Sequence, residues 1–85
     1  MVERSLTVKL ETGLQARPAA QFVQEANKFS AEVFLEKGGK QINAKSIMGL
    51  MTLALAKDEE IIIKADGDDE EEAITALVAF VTNEA

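Results

Sequence analysis

The chain has 85 residues, 47% of them hydrophobic, and carries a formal net charge of -6 from 15 acidic and 9 basic side chains. That is room for one domain, residues 1–85, of ordinary globular composition, with a surface that repels nucleic acid and anionic membrane. It has no cysteine and no histidine, which removes disulfides, thiol nucleophiles, thiolate metal sites and the commonest general base, so the expectation is a non-enzyme without metal or cofactor.

Val2 to Leu10 alternates, with Leu6, Val8 and Leu10 on one face, which is the period of a half-buried strand. Glu11-Thr12-Gly13 breaks it. From Ala16 the period changes: Ala19, Phe22, Val23 and Ala26 form one stripe of an amphipathic helix that should end near Phe29-Ser30, with Pro18 in its first turn. Glu32 to Lys37 reads as a strand, Gly38-Gly39 as a hairpin turn, and Lys40 to Asn43 as the returning strand.

Ser46 opens a short helix, roughly Ile47 to Ala54, followed by the polar break Lys57–Glu60 and a β-branched strand around Ile61-Ile62-Ile63. Asp66-Gly67 turns the chain into a last helix from Glu70 to about Asn83, with Ile74, Leu77, Val78 and Val81 as its buried stripe. The order β-α-β-β-α-β-α is an α+β pattern. It predicts a four-stranded antiparallel sheet with helices on one face.

Four features could carry chemistry. The acidic run Asp66–Glu72 lacks the spacing of a calcium loop, and its carboxylates read instead as neutralising and capping a helix start. The helix Ile47–Ala54 is apolar nearly all round, and a small domain can bury only one side of it. If Leu50, Leu53 and Ala54 face the core, then Ile47, Met48 and Met51 form an outward apolar patch; the alternative is that all of them are core.

Ser46 in Asn43-Ala44-Lys45-Ser46 is an N-cap by pattern, and a phosphate there would sit at the positive end of the helix, beside Lys45. Gln15 stands where the chain enters its first helix, so its side chain is expected near free N–H groups. Arg17 follows at the wrong end of the dipole for a cation, a placement suited to holding an anion or a partner's carboxylate. The longest uncharged apolar-rich run, Ile47–Ala56, is far short of the roughly 20 residues of a membrane helix. With no apolar signal region behind Met1-Val2-Glu3-Arg4-Ser5, a cytoplasmic protein is expected.

Two segments, Thr12-Gly13-Leu14-Gln15-Ala16-Arg17-Pro18-Ala19 and Asn43-Ala44-Lys45-Ser46-Ile47-Met48-Gly49-Leu50-Met51, closely resemble the signatures of the HPr family of the bacterial sugar phosphotransferase system. The resemblance runs over essentially the whole chain and implies an open-faced β-sandwich. In that family the residue between Leu14 and Ala16 is a phosphate-carrying histidine. Here it is Gln15, whose amide is no usable nucleophile, so relay of phosphate from phosphoenolpyruvate is not expected.

The second signature is intact, and a glutamine with the serine site kept is similar to the catabolite-repression branch of the family. The resemblance implies phosphorylation of Ser46 by HPr kinase/phosphorylase, and then binding to catabolite control protein A as a corepressor. Ile47, Met48 and Met51 would be the docking patch, with Gln15, Arg17 and Lys45 in the same interface. The protein would not touch DNA itself. A rival reading is a phosphotransfer protein using another acceptor such as Thr12, and the edge strands of an open sheet permit a homodimer.

Overall fold

The computed structural model describes residues 1–82 of the chain. In chain order the elements are β1 (Val2–Thr7), α1 (Ala16–Ala26), β2 (Glu32–Lys37), β3 (Lys40–Asn43), α2 (Ile47–Leu53), β4 (Glu60–Asp66) and α3 (Glu70–Thr82). The four strands form one sheet in the order β1-β4-β2-β3. Every pairing is antiparallel, as expected. β1 and β3 are the edges, and β4 lies in the middle although it comes last among the strands in sequence.

Alternation along the central strands decides which face is covered. Val33 and Leu35 on β2, and Ile61, Ile63 and Ala65 on β4, are buried, while Phe34, Ile62 and Lys64 between them are only half-buried. α3 lies against β1 and β4 through Ala73, Ile74, Leu77 and Val81. α1 supplies Ala19, Phe22 and Ala26, and Phe22 meets Phe80 of α3 edge-on with ring centroids 6.0 Å apart. The opposite face stays open.

Element limits shift in two places. β1 ends at Thr7, where the sequence alternation runs on to Leu10; Val8 is fully buried but its N–H bonds to the carbonyl of Glu59, outside the ladder of β1 with β4. α1 stops at Ala26 rather than near Phe29, because the carboxamide of Asn27 donates back to the carbonyl of Val23 and the chain turns through 27–31. Asn83, the expected end of α3, lies outside the described residues. The hairpin is as predicted, with Gly38 at φ 58° and Gly39 at φ 84° supplying the two left-handed positions of its turn.

The acidic run opens α3 as expected, with Glu70, Glu71 and Glu72 in its first turn, but Asp69 acts elsewhere. Asp69 does not cap its own helix with its side chain. Its carboxylate accepts from the N–H groups of Ser30 and Ala31 at 2.9 and 2.8 Å, fastening the α1–β2 connection. Glu70 reaches back to the N–H of Gly67 at 3.0 Å. Among the described residues no group of three or more potential ligands is placed to hold a metal ion, and no helix is long and apolar enough to cross a membrane.

Candidate functional site

The site is organised by α2, which is seven residues and therefore about 10 Å long. Its approach is a tight turn: the Asn43 side chain accepts from the N–H of Lys45 at 2.8 Å, and the Asn43 carbonyl accepts from the N–H of Ser46 at 3.1 Å. Ala44 is fully buried and its N–H bonds to the carbonyl of Val33, so the turn is anchored on β2. Gly49 lets the helix lie close on β3. A Cβ there would come within 3.3 Å of Ile42 Cβ and 3.4 Å of the Asn43 carbonyl.

Ser46 has extended backbone angles and its Oγ accepts from the N–H of Gly49 at 3.2 Å, which makes it the N-cap of α2. Among the described residues no side chain bonds to that hydroxyl.

Leu50 and Leu53 turn inward and are buried. Ala54, expected with them, is exposed instead: it is the C-cap, in left-handed conformation at φ 50°, with its N–H on the carbonyl of Leu50. Ile47, Met48 and Met51 do point outward, with 36%, 73% and 59% of their surfaces exposed. The all-core alternative is thereby excluded. Three large apolar side chains face solvent on one short helix whose other side is fixed to the domain.

The far end of α2 is held by a network the sequence does not announce. The Lys37 ammonium donates to the carbonyl of Leu53 at 3.5 Å and is ion-paired with Glu59, whose carboxylate also accepts from the N–H of Ala56 at 3.2 Å. The hydrogen bond from Lys37 holds the Glu59 carboxyl below its ordinary pKa, with the Ala56 N–H assisting and burial acting against both. Between these anchors the carbonyl of Leu55 accepts twice, from the N–H of Leu14 at 3.0 Å and from the side-chain Nε2 of Gln15 at 3.3 Å.

Gln15 is thus the N-cap residue of α1 by position but makes no side-chain cap bond. The expectation that its side chain serves free helix N–H groups is wrong, because the carbonyl of Leu55 is brought within reach and the amide donates there. Arg17, the second residue of α1, is exposed and forms no ion pair among the described residues. Lys45 is likewise not left waiting beside Ser46: its ammonium donates to the carbonyl of Phe29 at 2.8 Å, across the α1–β2 connection. The predicted residues therefore divide over one helix, with Lys45 and Ser46 at its start, Ile47, Met48 and Met51 on its outer side, and Gln15 docked just past its end.

The sequence from residue 2 to residue 83 matches the family described as PTS HPr component phosphorylation site. The chain belongs to the HPr family. It is 60% identical over 84 residues to the HPr-like protein Crh of Halalkalibacterium halodurans, covering 99% of this chain and all of that one. Among solved structures, HPr of Thermoanaerobacter tengcongensis superposes with a TM-score of 0.95 at 50% identity, over 99% of this chain and 94% of that chain. Bacillus subtilis Crh, a catabolite repression protein seen in its crystal as a domain-swapped, intertwined dimer, superposes at 0.81 with 58% identity, over 100% and 98% of the two chains. The open sheet with helices on one face is the HPr fold.

Signals for the missed residues differ in kind. Glu59 and Lys37 are 22 positions apart in an acidic chain with many such pairs, and nothing local marks this one. Phe29 and Leu55 act through backbone carbonyls, which carry no sequence signature at all. The glycine at 13 is the nearest sequence signal: in the structure its φ is 69°, and a Cβ there would approach the Leu55 carbonyl to 2.3 Å, at the contact that positions Gln15.

Proposed function

We propose that the chain is a cytoplasmic regulator of carbon catabolite repression, acting as a binding protein rather than an enzyme. HPr kinase/phosphorylase phosphorylates Ser46, and the phosphorylated form docks on catabolite control protein A as its corepressor. The observation that carries this reading is the junction of a capping hydroxyl with an exposed apolar face: Ser46 Oγ at the head of α2, and Ile47, Met48 and Met51 in solvent along it. Similarity to the two Crh proteins supports it.

A phosphate on Ser46 adds about two negative charges at pH 7 to a chain already at -6. Its oxygens replace the hydroxyl as acceptors for the free N–H groups at the start of α2, so the fold tolerates it, while the charge beside the apolar face gives a cationic partner site something to pair with. Gln15 contributes past the other end of the same helix, and Arg17, exposed on α1 and without an ion pair among the described residues, offers a guanidinium to the partner. Lys45 takes part by leaving the Phe29 carbonyl for the phosphate.

Relay of phosphate from phosphoenolpyruvate through a histidine has no acceptor here. Gln15 stands at the relevant position with its amide bound to the Leu55 carbonyl, and the chain has no histidine. A second copy of the chain is a further partner in this reading, on the strength of the intertwined dimer of Bacillus subtilis Crh and the unpaired outer edges of β1 and β3.

The test is to incubate the protein with the kinase and ATP, map the phosphate, and titrate the repressor with both forms. Phosphate on Ser46 with a gain in binding is expected. Phosphate elsewhere, or on Ser46 without any gain, refutes the proposal.

A further inference from the structure

All three methionines of the chain are on its surface: Met1 is 68% exposed, Met48 73% and Met51 59%. The core holds none, being built of aliphatic side chains and Phe22. There is also no cysteine, tryptophan, tyrosine or histidine to compete for an oxidant. Mild oxidation of this protein therefore falls on three thioethers, and two of them lie three residues apart on the outward side of α2, sharing one face.

We infer that Met48 and Met51 are a reversible oxidation site that switches the α2 face off. The inference rests on the docking role proposed above for that face. In the chemistry, a peroxide transfers one oxygen atom to the thioether sulfur. The sulfur supplies the electron pair that breaks the O–O bond, a sulfoxide forms, and water leaves when the peroxide is hydrogen peroxide. The reverse step needs a dithiol, as in methionine sulfoxide reductases, which takes the oxygen off as water and becomes a disulfide.

The consequence follows from where the sulfurs sit. A thioether is soft and apolar and sheds water readily on docking, whereas a sulfoxide is a strong, directional acceptor on the same side chain. A partner surface shaped for methionine offers that oxygen no donor, so binding must desolvate it without compensation; each such oxygen lowers affinity by roughly tenfold or more. Because neither side chain contributes to the core, the fold is indifferent to the change. The α2 face then reports two conditions at once: the phosphate on Ser46 opens it to a partner, and oxidation of the adjacent methionines closes it.

The experiment takes the Ser46-phosphorylated protein, treats it with hydrogen peroxide, quenches with catalase, and maps added oxygen by peptide mass spectrometry. Repressor binding is titrated across the time course, alongside circular dichroism and thermal melting. Expected is a loss of affinity of about tenfold or more that tracks oxidation of Met48 and Met51 and not of Met1, an unchanged melt, and recovery on treatment with methionine sulfoxide reductases A and B. In the Met48→Leu, Met51→Leu protein, peroxide should leave affinity at that variant's own starting level.

Doubly oxidised protein that binds within about twofold of the untreated form overturns the inference. So does a loss that tracks Met1, that comes with unfolding, or that the reductases do not repair. Untreated phosphoprotein that fails to bind the repressor overturns the docking role itself, and the two failures are distinct.

Discussion

Replacing Gly13 by alanine tests the joint between α1 and the end of α2. Gly13 sits at φ 69°, and a Cβ there would lie 2.3 Å from the carbonyl oxygen of Leu55 and 2.8 Å from Ala56 Cα. Both obstacles are backbone, so no side-chain rotation relieves them. The left-handed conformation alone costs a residue with a Cβ about 1–2 kcal/mol. Moving the 12–15 loop away from Leu55 also breaks the bonds from the N–H of Leu14 and the amide of Gln15 to that carbonyl, at roughly 0.5–1.5 kcal/mol each. The sum is about 2–5 kcal/mol, against a total stability on the order of 5–15 kcal/mol for a domain.

Urea denaturation followed by circular dichroism measures it, and a fall in Tm of at least roughly 10 °C should accompany the shift. Gly38→Ala is the internal control: φ there is 58° but nothing lies within 4 Å of the added Cβ, so only the conformational part, about 1–2 kcal/mol, applies. Equal losses in the two variants, or a loss at Gly13 below about 1 kcal/mol, would refute the close-approach argument.

Four further outcomes are expected. Ser46→Ala loses the cap bond to Gly49 and about 1 kcal/mol of stability, whereas Ser46→Asn keeps a capping oxygen and most of that stability; neither takes phosphate, so thermal melts and kinase assays together separate the cap from the modification. Met51→Asp changes stability by less than about 0.5 kcal/mol because the side chain is exposed, yet should abolish repressor binding, which calorimetric titration would show. Asp69 and Glu59 have carboxyls held below the ordinary values of 3.8 and 4.5, the first chiefly by the N–H of Ser30 and the second chiefly by Lys37. Their contribution is complete above those ordinary values and is lost as pH falls through the lowered ones, so acid titration of Asp69→Asn should show a shallower loss of stability than the parent. The same substitution weakens the hold on Ser30 and Ala31, and their amide hydrogens should exchange faster without a matching change in the β4 amides.

Much of this architecture is written locally. The apolar strand segments Glu32–Lys37 and Ile61–Ile63, the stripe Ala19-Phe22-Ala26, the paired glycines of the hairpin and the serine before an apolar run are all short-range patterns. Each depends on steric and hydrophobic periodicity within a few residues, and each appears in the structure where the pattern puts it. The outward position of Met48 and Met51 follows from the same kind of count, once Leu50 and Leu53 are taken inward. That residue 15 is a glutamine and that the chain has no histidine need no coordinates to be read.

Tertiary structure alone decided what the polar groups of the site do. Gln15 donates to a carbonyl 40 positions away, Lys45 to one 16 positions back, and Asp69 accepts from N–H groups 38 and 39 positions upstream. In each case one partner is a backbone group that every residue possesses, so no sequence pattern can name it. The choice is made when packing of the apolar faces brings distant segments together, and a flexible polar side chain then bonds to a backbone group carried within its reach rather than to a local one.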